Sequence, residues 1–143
     1  MTIKAIFLRH SRIDSLLIRA ASWSSWSHVA LIMEDGVTVI DAAFLRGGVT
    51  EHPLIDLTAT ASKYAIREFS CPDPAAAYAF ARSQKGKPYD WTGVLGLGLH
   101  RDWQQDDAWW CSELVEECLA AGGNKRFIEQ VRRVTQQHSW MVA

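Results

Sequence analysis

The sequence predicts a single α+β domain over residues 1–143, in which an antiparallel sheet packs against a helix that begins at a cysteine. Asp35-Gly36 separates two runs of apolar and β-branched residues, a strong signal for a β-hairpin. After Cys111, apolar residues recur at helical spacing until Gly122 ends the pattern. With 143 residues, 48% of them hydrophobic, the chain is large enough to bury one core.

The chain begins with a predicted strand and a predicted helix. Ile3 to Leu8 is a short apolar run rich in β-forming residues, which is typical of a buried strand. Ser11 has the character of an N-cap, and the apolar residues behind it repeat at helical spacing to Ala21. A polar loop at 22–27, with two tryptophans, follows this helix.

The predicted hairpin brings a histidine and an aspartate together. Its strands are His28 to Met33 and Val37 to Ala43. If Asp35-Gly36 forms a two-residue loop, His28 and Asp41 are diagonal neighbours on one face, roughly 7 to 8 Å apart at the backbone and within side-chain reach. A slip of one residue would put them on opposite faces, so the pairing of these two side chains depends on this register.

The rest of the chain alternates predicted strands and helices. We predict an edge strand near Val49 to His52, a strand over Tyr64 to Phe69, and a helix from Pro74 to Gln84 with Asp73 as its N-cap. Beyond them we expect a turn at Lys87 to Trp91, a glycine-rich short helix at 92–99, a helix or strand at 124–134, and a tail at 135–143.

Composition excludes several classes of protein. Fifteen basic and sixteen acidic residues give a net charge of −1, so no excess of cations is available to bind the phosphates of a nucleic acid. No run is long and apolar enough to cross a membrane. The apolar run near the N-terminus is too short for a signal peptide, and we therefore expect a cytoplasmic location.

The cysteines and histidines show no pattern of disulfides or metal ligands. The chain has three cysteines, an odd and sparse set, and Cys111 and Cys118 lie seven residues apart on one predicted helix, too far apart to bridge. The five histidines are scattered, without the spacing of a zinc site. The sequence therefore predicts reduced thiols, no metal and no cofactor.

Cys111, His28 and Asp41 are the three parts of an activated thiol. Unpaired N–H groups and the helix dipole stabilise a thiolate at a helix N-terminus. A histidine can take the thiol proton, an acid can orient the ring, and a backbone N–H can stabilise an oxyanion. Each residue also has a purely structural interpretation: a small buried cysteine, a histidine at a strand end, and a solvated aspartate.

Four segments resemble the circularly permuted branch of the NlpC-type, papain-like cysteine hydrolases, and most closely its YiiX and YaeF group. They are Ser27 to Ile32, Val39 to Ala42, Lys87 to Trp91 and Trp110 to Val115, and the resemblance extends from about Ile6 to Gly123. In that family the histidine and the polar residue precede the cysteine, which is the reverse of the order in ordinary papain-like enzymes. The resemblance implies a permuted papain-like fold, with the sheet packed against the helix of the nucleophilic cysteine.

By the same resemblance, Cys111 is the nucleophile, His28 the base and Asp41 the orienting residue. Tyr89 matches the family's tyrosine-aspartate turn. Trp26 and Trp110 flank the histidine and the cysteine in sequence, so with Tyr89 they are candidates for the wall of a substrate cleft. Core packing remains the alternative for Tyr89 and for most of the seven tryptophans.

The resemblance implies a cysteine hydrolase or amidase that cleaves an amide bond through a thioester, with peptidoglycan stem peptides as one substrate class. A thiol acyltransferase or lipid deacylase is the second hypothesis, because lecithin retinol acyltransferase, in the broad superfamily, uses the same chemistry. A binding module that has kept the fold is the third. Relatives often carry an export signal, so access to the cell wall would need a phage, lysis or a secretion machine.

Overall fold

The computed structural model describes residues 1–11, 13–22, 24–90, 92, 108–127 and 135–142. Within these residues, five strands form one antiparallel sheet in the order β4-β3-β2-β1-β5. The strands are β1 Thr2–Arg9, β2 His28–Ile32, β3 Thr38–Ala43, β4 Gly48–Pro53 and β5 Lys63–Ser70. The helices are α1 Ile13–Ser22, α2 Leu54–Thr58, α3 Pro74–Ser83, α4 Cys111–Ala121 and α5 Gln136–Met141, with a 3-10 turn at Phe44–Arg46. The predicted α+β class is confirmed.

Strand β1, which lies between β2 and β5, is buried on both faces of the sheet. On one face, Phe7 belongs to a core that also contains Leu31 and residues of α4 such as Leu114. On the other face, Ile6 packs in a second core together with Leu57 of α2. Burial from both sides explains why β1 is a continuous apolar run rather than an alternating one.

The predicted register of the hairpin between β2 and β3 is confirmed. Leu31 pairs with Ile40 and Ile32 with Val39, as they would if Asp35-Gly36 were a two-residue loop. The paired segment is short, because only these two pairs join the strands. The end of the hairpin that carries His28 therefore lies outside the ladder between the two strands.

The prediction of a two-residue loop in this hairpin is wrong. The last backbone contact runs from the Met33 N–H to the Thr38 carbonyl at 2.8 Å, so four residues form the loop. The Asp35 carboxylate accepts from the N–H groups of Val37 and Thr38 at 2.9 and 2.8 Å, and Gly36 has a φ of 73°. This side chain takes the place of strand pairing and keeps the same register.

The predicted strands at the edges of the sheet and the helix after Asp73 are also confirmed. Asp73 caps α3 by accepting from the Ala76 N–H at 3.0 Å, and Pro74 follows it at the first helical position. The glycine-rich segment at 92–99 lies outside the described residues apart from Thr92. So does the segment 128–134, and 124–127 has no regular structure.

The predicted C-terminal tail is wrong, because 136–141 form the helix α5. Its start is fixed by a reciprocal pair in which Thr135 Oγ1 accepts from the His138 N–H at 3.2 Å and His138 Nδ1 accepts from the Thr135 N–H at 3.1 Å. A capping box normally has glutamate or glutamine in the place of His138, so the signal for this helix in the sequence is weak. Helix α5 packs against α4.

The predicted tyrosine-aspartate turn lies against the start of β4, because the backbone of Lys87 approaches the backbone of Gly48 closely. Gly48 has a φ of 128°, and a Cβ at this position would overlap the Lys87 carbonyl oxygen. The Val49 N–H donates to the same oxygen at 2.9 Å. Only glycine at position 48 admits this contact. The contact fixes the position of Lys87, two residues before Tyr89.

No helix in the described ranges is long and apolar enough to cross a membrane. Cys71, Cys111 and Cys118 are all buried free thiols.

Candidate active site

His28, Asp41 and His52 form a diagonal row across three neighbouring strands. Asp41 lies opposite Thr50 of β4, and His52, two residues further on, is therefore its diagonal neighbour on the same face. The hairpin register puts His28 in the same relation to Asp41 on the other side. Because side chains alternate along a strand, all three point to one face of the sheet.

The Asp41 carboxylate accepts one hydrogen bond from each ring. The distances are 2.5 Å from His28 Nε2 to Oδ2 and 3.0 Å from His52 Nε2 to Oδ1. Since a carboxylate only accepts, both Nε2 atoms carry a hydrogen. Asp41 thus fixes the orientation of the His28 ring and leaves Nδ1 for another partner.

Two histidines keep the buried Asp41 ionised. Its side chain has no exposed surface, and burial raises the pKa of the carboxyl. The charge and hydrogen bond of His28, and then those of His52, outweigh this effect and hold the pKa of Asp41 below its usual value. A full negative charge therefore lies next to the His28 ring at neutral pH.

Cys111 is the first residue of α4, at the open end of the hairpin. Trp110 precedes it in an extended conformation and offers no side-chain oxygen to cap the helix. Three groups donate to the Cys111 sulfur: the His28 ring, the Val29 N–H, and Gln136 Nε2 at 3.0 Å. The thiol is thus held by α4, β2 and α5 together, with 1% of the residue exposed.

The contacts favour a thiolate and an imidazolium. Burial raises the pKa of Cys111, but the hydrogen bond and charge of His28, with smaller effects from Gln136 and Val29, lower it below the usual thiol value. Burial lowers the pKa of His28, but the charge and hydrogen bond of Asp41, and then those of Cys111, raise it to about 10. Both shifts favour the charged form of the pair, a thiolate beside an imidazolium.

A cleft of about 430 Å³ opens beside this pair. Its described walls include His28, Asp41 and Tyr89, so the predicted base and orienting residue both reach it. Phe44 and Leu45, which are 58% and 63% exposed, form an apolar wall. His28 connects the cleft to the thiol, because it lines the first and contacts the second.

The predicted aromatic wall is only partly found at the cleft. Trp26 is 5% exposed and packs between Phe7 and Trp140, with ring centroids 6.1 and 4.9 Å away. Trp110 has no exposed surface. Neither tryptophan is among the described residues that line the cleft. Their burial corresponds to the packing role that the sequence also allowed.

Tyr89, in contrast, lines the cleft and lies near the thiol. The turn before it joins the approach to α4, since the Trp109 N–H donates to the Pro88 carbonyl at 2.9 Å and the Asp90 N–H to the Trp109 carbonyl at 2.8 Å. Burial, and then the negative charges of Cys111 and Asp90, raise the pKa of Tyr89 well above its usual value. Its hydroxyl therefore remains a hydrogen-bond donor at neutral pH.

Sequence reasoning missed two residues of this site, His52 and Gln136. His52 lies in the predicted edge strand at the position diagonal to Asp41, so the pairing of β3 with β4 would have revealed it. Gln136 lies in a segment that was predicted to be a tail. Its contact with Cys111 spans 25 residues of sequence, and no local pattern indicates it.

The fold and the chain order define a permuted papain-like cysteine hydrolase, with the sheet residues before the cysteine. Residues 5–140 match the family model described as "Permuted papain-like amidase enzyme, YaeF/YiiX, C92 family", and the chain belongs to this family. The family is one of cysteine peptidases and amidases, so the prediction of a cysteine amidase or hydrolase is confirmed in this broad sense.

A solved structure supports the same fold. This chain is similar to the crystal structure of "metalloprotein yiiX from Escherichia coli O157:H7, DUF1105". The two chains share 25% sequence identity, and the TM-score of their structures is 0.64. The match covers 88% of this chain and 68% of that chain. A comparison with curated proteins gives no significant match.

YiiX is described as a metalloprotein. In the described part of this chain, no group of three or more His, Cys, Asp or Glu side chains is arranged to hold a metal ion. His28 and His52 both direct Nε2 at the carboxylate of Asp41. The described residues of the site do not fit a metal centre, because these nitrogens already donate to Asp41.

Proposed function

We propose that this protein hydrolyses amide bonds with Cys111 as nucleophile, His28 as acid and base, and Asp41 as the orienting residue. The observation that carries the proposal is the position of His28, which bonds Asp41 through Nε2 and contacts the Cys111 sulfur with the remaining side of its ring. A buried thiol with a merely structural role would not need a charged partner.

The reaction follows from these contacts. The Cys111 thiolate forms a bond to the amide carbon, and the carbonyl oxygen becomes an oxyanion beside the N–H groups at the start of α4. The carbon–nitrogen bond then breaks, and the His28 imidazolium gives its proton to the leaving nitrogen. Water attacks the thioester while His28 takes one of its protons, and the carbon–sulfur bond breaks to release the acid and the thiolate.

Charged and apolar walls of the cleft support a peptide substrate. Besides Phe44 and Leu45, the cleft is lined by Arg46 and Asp56, whose side chains are 35% and 46% exposed and 4.0 Å apart. A peptide stem of the cell wall carries both amino and carboxyl groups, which these charges could bind. We therefore propose a peptidoglycan stem peptide as the substrate class, with Tyr89 as a further contact in the cleft.

The exposed Phe44 and Leu45 also favour a second candidate, in which the substrate has an acyl chain. An apolar wall of this kind would hold an aliphatic chain while the thioester forms. An acyltransferase or lipid deacylase would then share the same first step. The two functions differ in what resolves the thioester and in which substrate forms it.

We expect peptidoglycan fragments to be cleaved in H₂¹⁸O with one ¹⁸O atom in the new carboxyl group, as mass spectrometry of the products would show. Incorporation shows that water is the final acceptor of the acyl group. Transfer of the acyl group to an added amine or alcohol, without ¹⁸O, would instead establish an acyltransferase. Cleavage of N-acyl amides or phospholipids, with no cleavage of peptides, would contradict the proposed substrate class.

The pH dependence of Cys111 alkylation tests the activated pair itself. We expect the iodoacetamide rate of the wild type to remain high well below the usual thiol pKa of about 9, and His28→Ala to react at least about 100-fold more slowly at pH 6. Without His28, only the smaller effects of Gln136 and Val29 oppose the burial that raises the pKa of Cys111. Since 1% of Cys111 is exposed, the shape of the profile matters more than the absolute rate.

Two controls accompany this measurement. Cys118 lies on the same helix, and burial raises its pKa, so it should stay unreactive when alkylation is assigned by peptide mass. His10→Ala removes another histidine from the same cleft, one whose Nδ1 contacts the Thr60 carbonyl at 3.1 Å, and should leave the profile unchanged. An ordinary thiol titration of Cys111 in the wild type would favour a non-catalytic binding module.

A further inference from the structure

A buried amide reaches the thiol from the C-terminal helix. Gln136 has no exposed surface, and its Nε2 donates to the Cys111 sulfur at 3.0 Å. Its Oε1 has no hydrogen-bond partner in the described part of the chain. A buried amide costs free energy unless it is hydrogen-bonded, so the contact with sulfur is the one compensation that the described contacts give this side chain.

The contact with Gln136 favours the thiolate form of Cys111 over the neutral thiol. An amide N–H only donates, and it binds a thiolate much more strongly than a neutral thiol, whose sulfur is a weak acceptor. The Gln136 donor therefore favours the charged form of Cys111, in addition to the His28 imidazolium.

A buried cluster fixes the helix that carries this amide. We call it the Glu116 clasp, and it consists of Glu116 on α4, Arg126 after α4 and Ser139 on α5. Arg126 binds both carboxylate oxygens of Glu116, through Nη2 and through Nε at 3.1 Å, and Ser139 Oγ donates to Oε1 at 2.5 Å. The Glu116 and Arg126 side chains are 2% and 6% exposed. The clasp thus ties α5 to the helix of the nucleophile.

The clasp and the amide are linked through α5. Gln136 and Ser139 lie three residues apart, so they share the face of α5 that is directed at α4. The capping pair of Thr135 and His138 fixes the first turn, in which Gln136 is the first residue. Any movement of α5 away from α4 would withdraw the amide from the sulfur.

We propose that Gln136 is a further catalytic residue, which stabilises the Cys111 thiolate, and that the Glu116 clasp positions it. This inference rests on the proposed function, because it assigns a second donor to the same thiolate. It makes the C-terminal helix a part of the active site.

The test is the pH profile of Cys111 alkylation by iodoacetamide in the full chain, for the wild type, Gln136→Met, Gln136→Asn and Gln137→Met. Methionine keeps the volume and removes the donor, whereas asparagine withdraws the donor by one methylene. Gln137→Met is the matched control, because Gln137 accepts from the Ser25 N–H at 3.1 Å and does not contact the thiol. The titratable groups facing the sulfur, His28 and Tyr89, and Asp41 behind His28, stay unchanged in all four proteins.

We expect both Gln136 variants to need a higher pH for alkylation and to react about tenfold more slowly than the wild type at pH 6, as the loss of one charge-assisted hydrogen bond implies. Gln137→Met should follow the wild type. A wild-type profile in folded Gln136→Met would overturn the inference while the proposed function stands. A wild type that titrates like free cysteine would overturn both.

Circular dichroism and melting temperatures show whether the variants fold. If Gln136→Met does not fold, the alkylation profile of Gln136→Asn is the test of the inference. The positioning role is tested by Ser139→Ala, which removes one contact of the clasp without leaving Glu116 unpaired. We expect its profile to move in the same direction as that of Gln136→Met, by about threefold in rate at pH 6. An unchanged profile would show that the clasp is structural only.

Discussion

Replacement of Cys111 by alanine is expected to reduce amide hydrolysis by at least about 10⁴-fold while the protein stays folded. The Cys111 sulfur is the only protein atom in the proposed mechanism that forms a bond to the substrate carbon, and removal of a nucleophile leaves only the weak catalysis of the remaining site. Turnover of peptidoglycan fragments, followed by liquid chromatography, measures the loss.

The same substitution should also lower the free energy of unfolding measurably. The Val29 N–H and Gln136 Nε2 lose their acceptor when the sulfur is removed, which costs about 1 to 3 kcal/mol for buried donors. Cys111→Ser keeps an acceptor at this position, and we expect it to be nearly as inactive as Cys111→Ala but more stable in urea. This pair of variants separates the chemistry of the sulfur from its packing.

Cys118→Ala is the matched control for the loss of activity. Cys118 lies seven residues further along α4, fully buried in the main core, and burial raises the pKa of its thiol. We expect this variant to lose some stability and to keep its turnover. Equal loss of activity in the two alanine variants, or a failure of Cys111→Ala to fold, would mean that Cys111 is a structural cysteine.

The local parts of the site could be predicted from sequence because their signals are local. The start of α4 follows from apolar spacing and a terminal glycine, and these place Cys111 at the helix N-terminus. The relation of His28 to Asp41 depends only on the register of one hairpin. The predicted register is correct although the predicted loop is too short, because the four-residue loop of the structure is centred between Asp35 and Gly36, as the predicted two-residue loop is.

The parts that escaped prediction depend on contacts between distant segments. His52 joins the site only because β4 pairs with β3, and the sequence does not state which strands are neighbours. Gln136 joins it because α5 packs against α4, where Ser139 donates to Glu116 across the two helices. No periodicity in a single segment contains such information, since it depends on how remote segments pack.

Replacement of Asp41 by asparagine is expected to lower kcat/KM by about 10²- to 10³-fold at neutral pH without loss of the fold. The arrangement of two rings around Asp41 explains why the fold should survive. The asparagine oxygen can accept from His28 Nε2 while its NH₂ group donates to His52 Nε2, with His52 Nδ1 then donating to the Pro53 carbonyl, 3.3 Å away. His28 thus keeps its tautomer, and the variant loses charge rather than geometry.

The loss of the Asp41 charge should lower the pKa of His28. Asp41 contributes the largest effects that raise the pKa of His28 to about 10, so without it the imidazolium gives up its proton at lower pH. The stability that the raised pKa provides is complete below the ordinary value of 6.5 and is lost as the pH rises through about 10. In Asp41→Asn the pKa of His28 is lower, so this contribution is smaller and its loss is complete at a lower pH, which urea unfolding at pH 7 and pH 9 would detect.

The effect on rate should be smaller than the roughly 10⁴-fold loss in a Ser-His-Asp triad, where the amide forces the wrong tautomer. Alkylation of Cys111 in Asp41→Asn should slow at pH 6 and approach the wild-type rate at high pH, where the thiolate forms without an imidazolium. Asp56→Asn is the matched control for alkylation by the uncharged iodoacetamide, since it removes a charge from the same cleft at a residue that is 46% exposed and should leave the alkylation profile unchanged. Unchanged kinetics in Asp41→Asn would remove Asp41 from the mechanism, and His28 would then be activated by the thiolate alone.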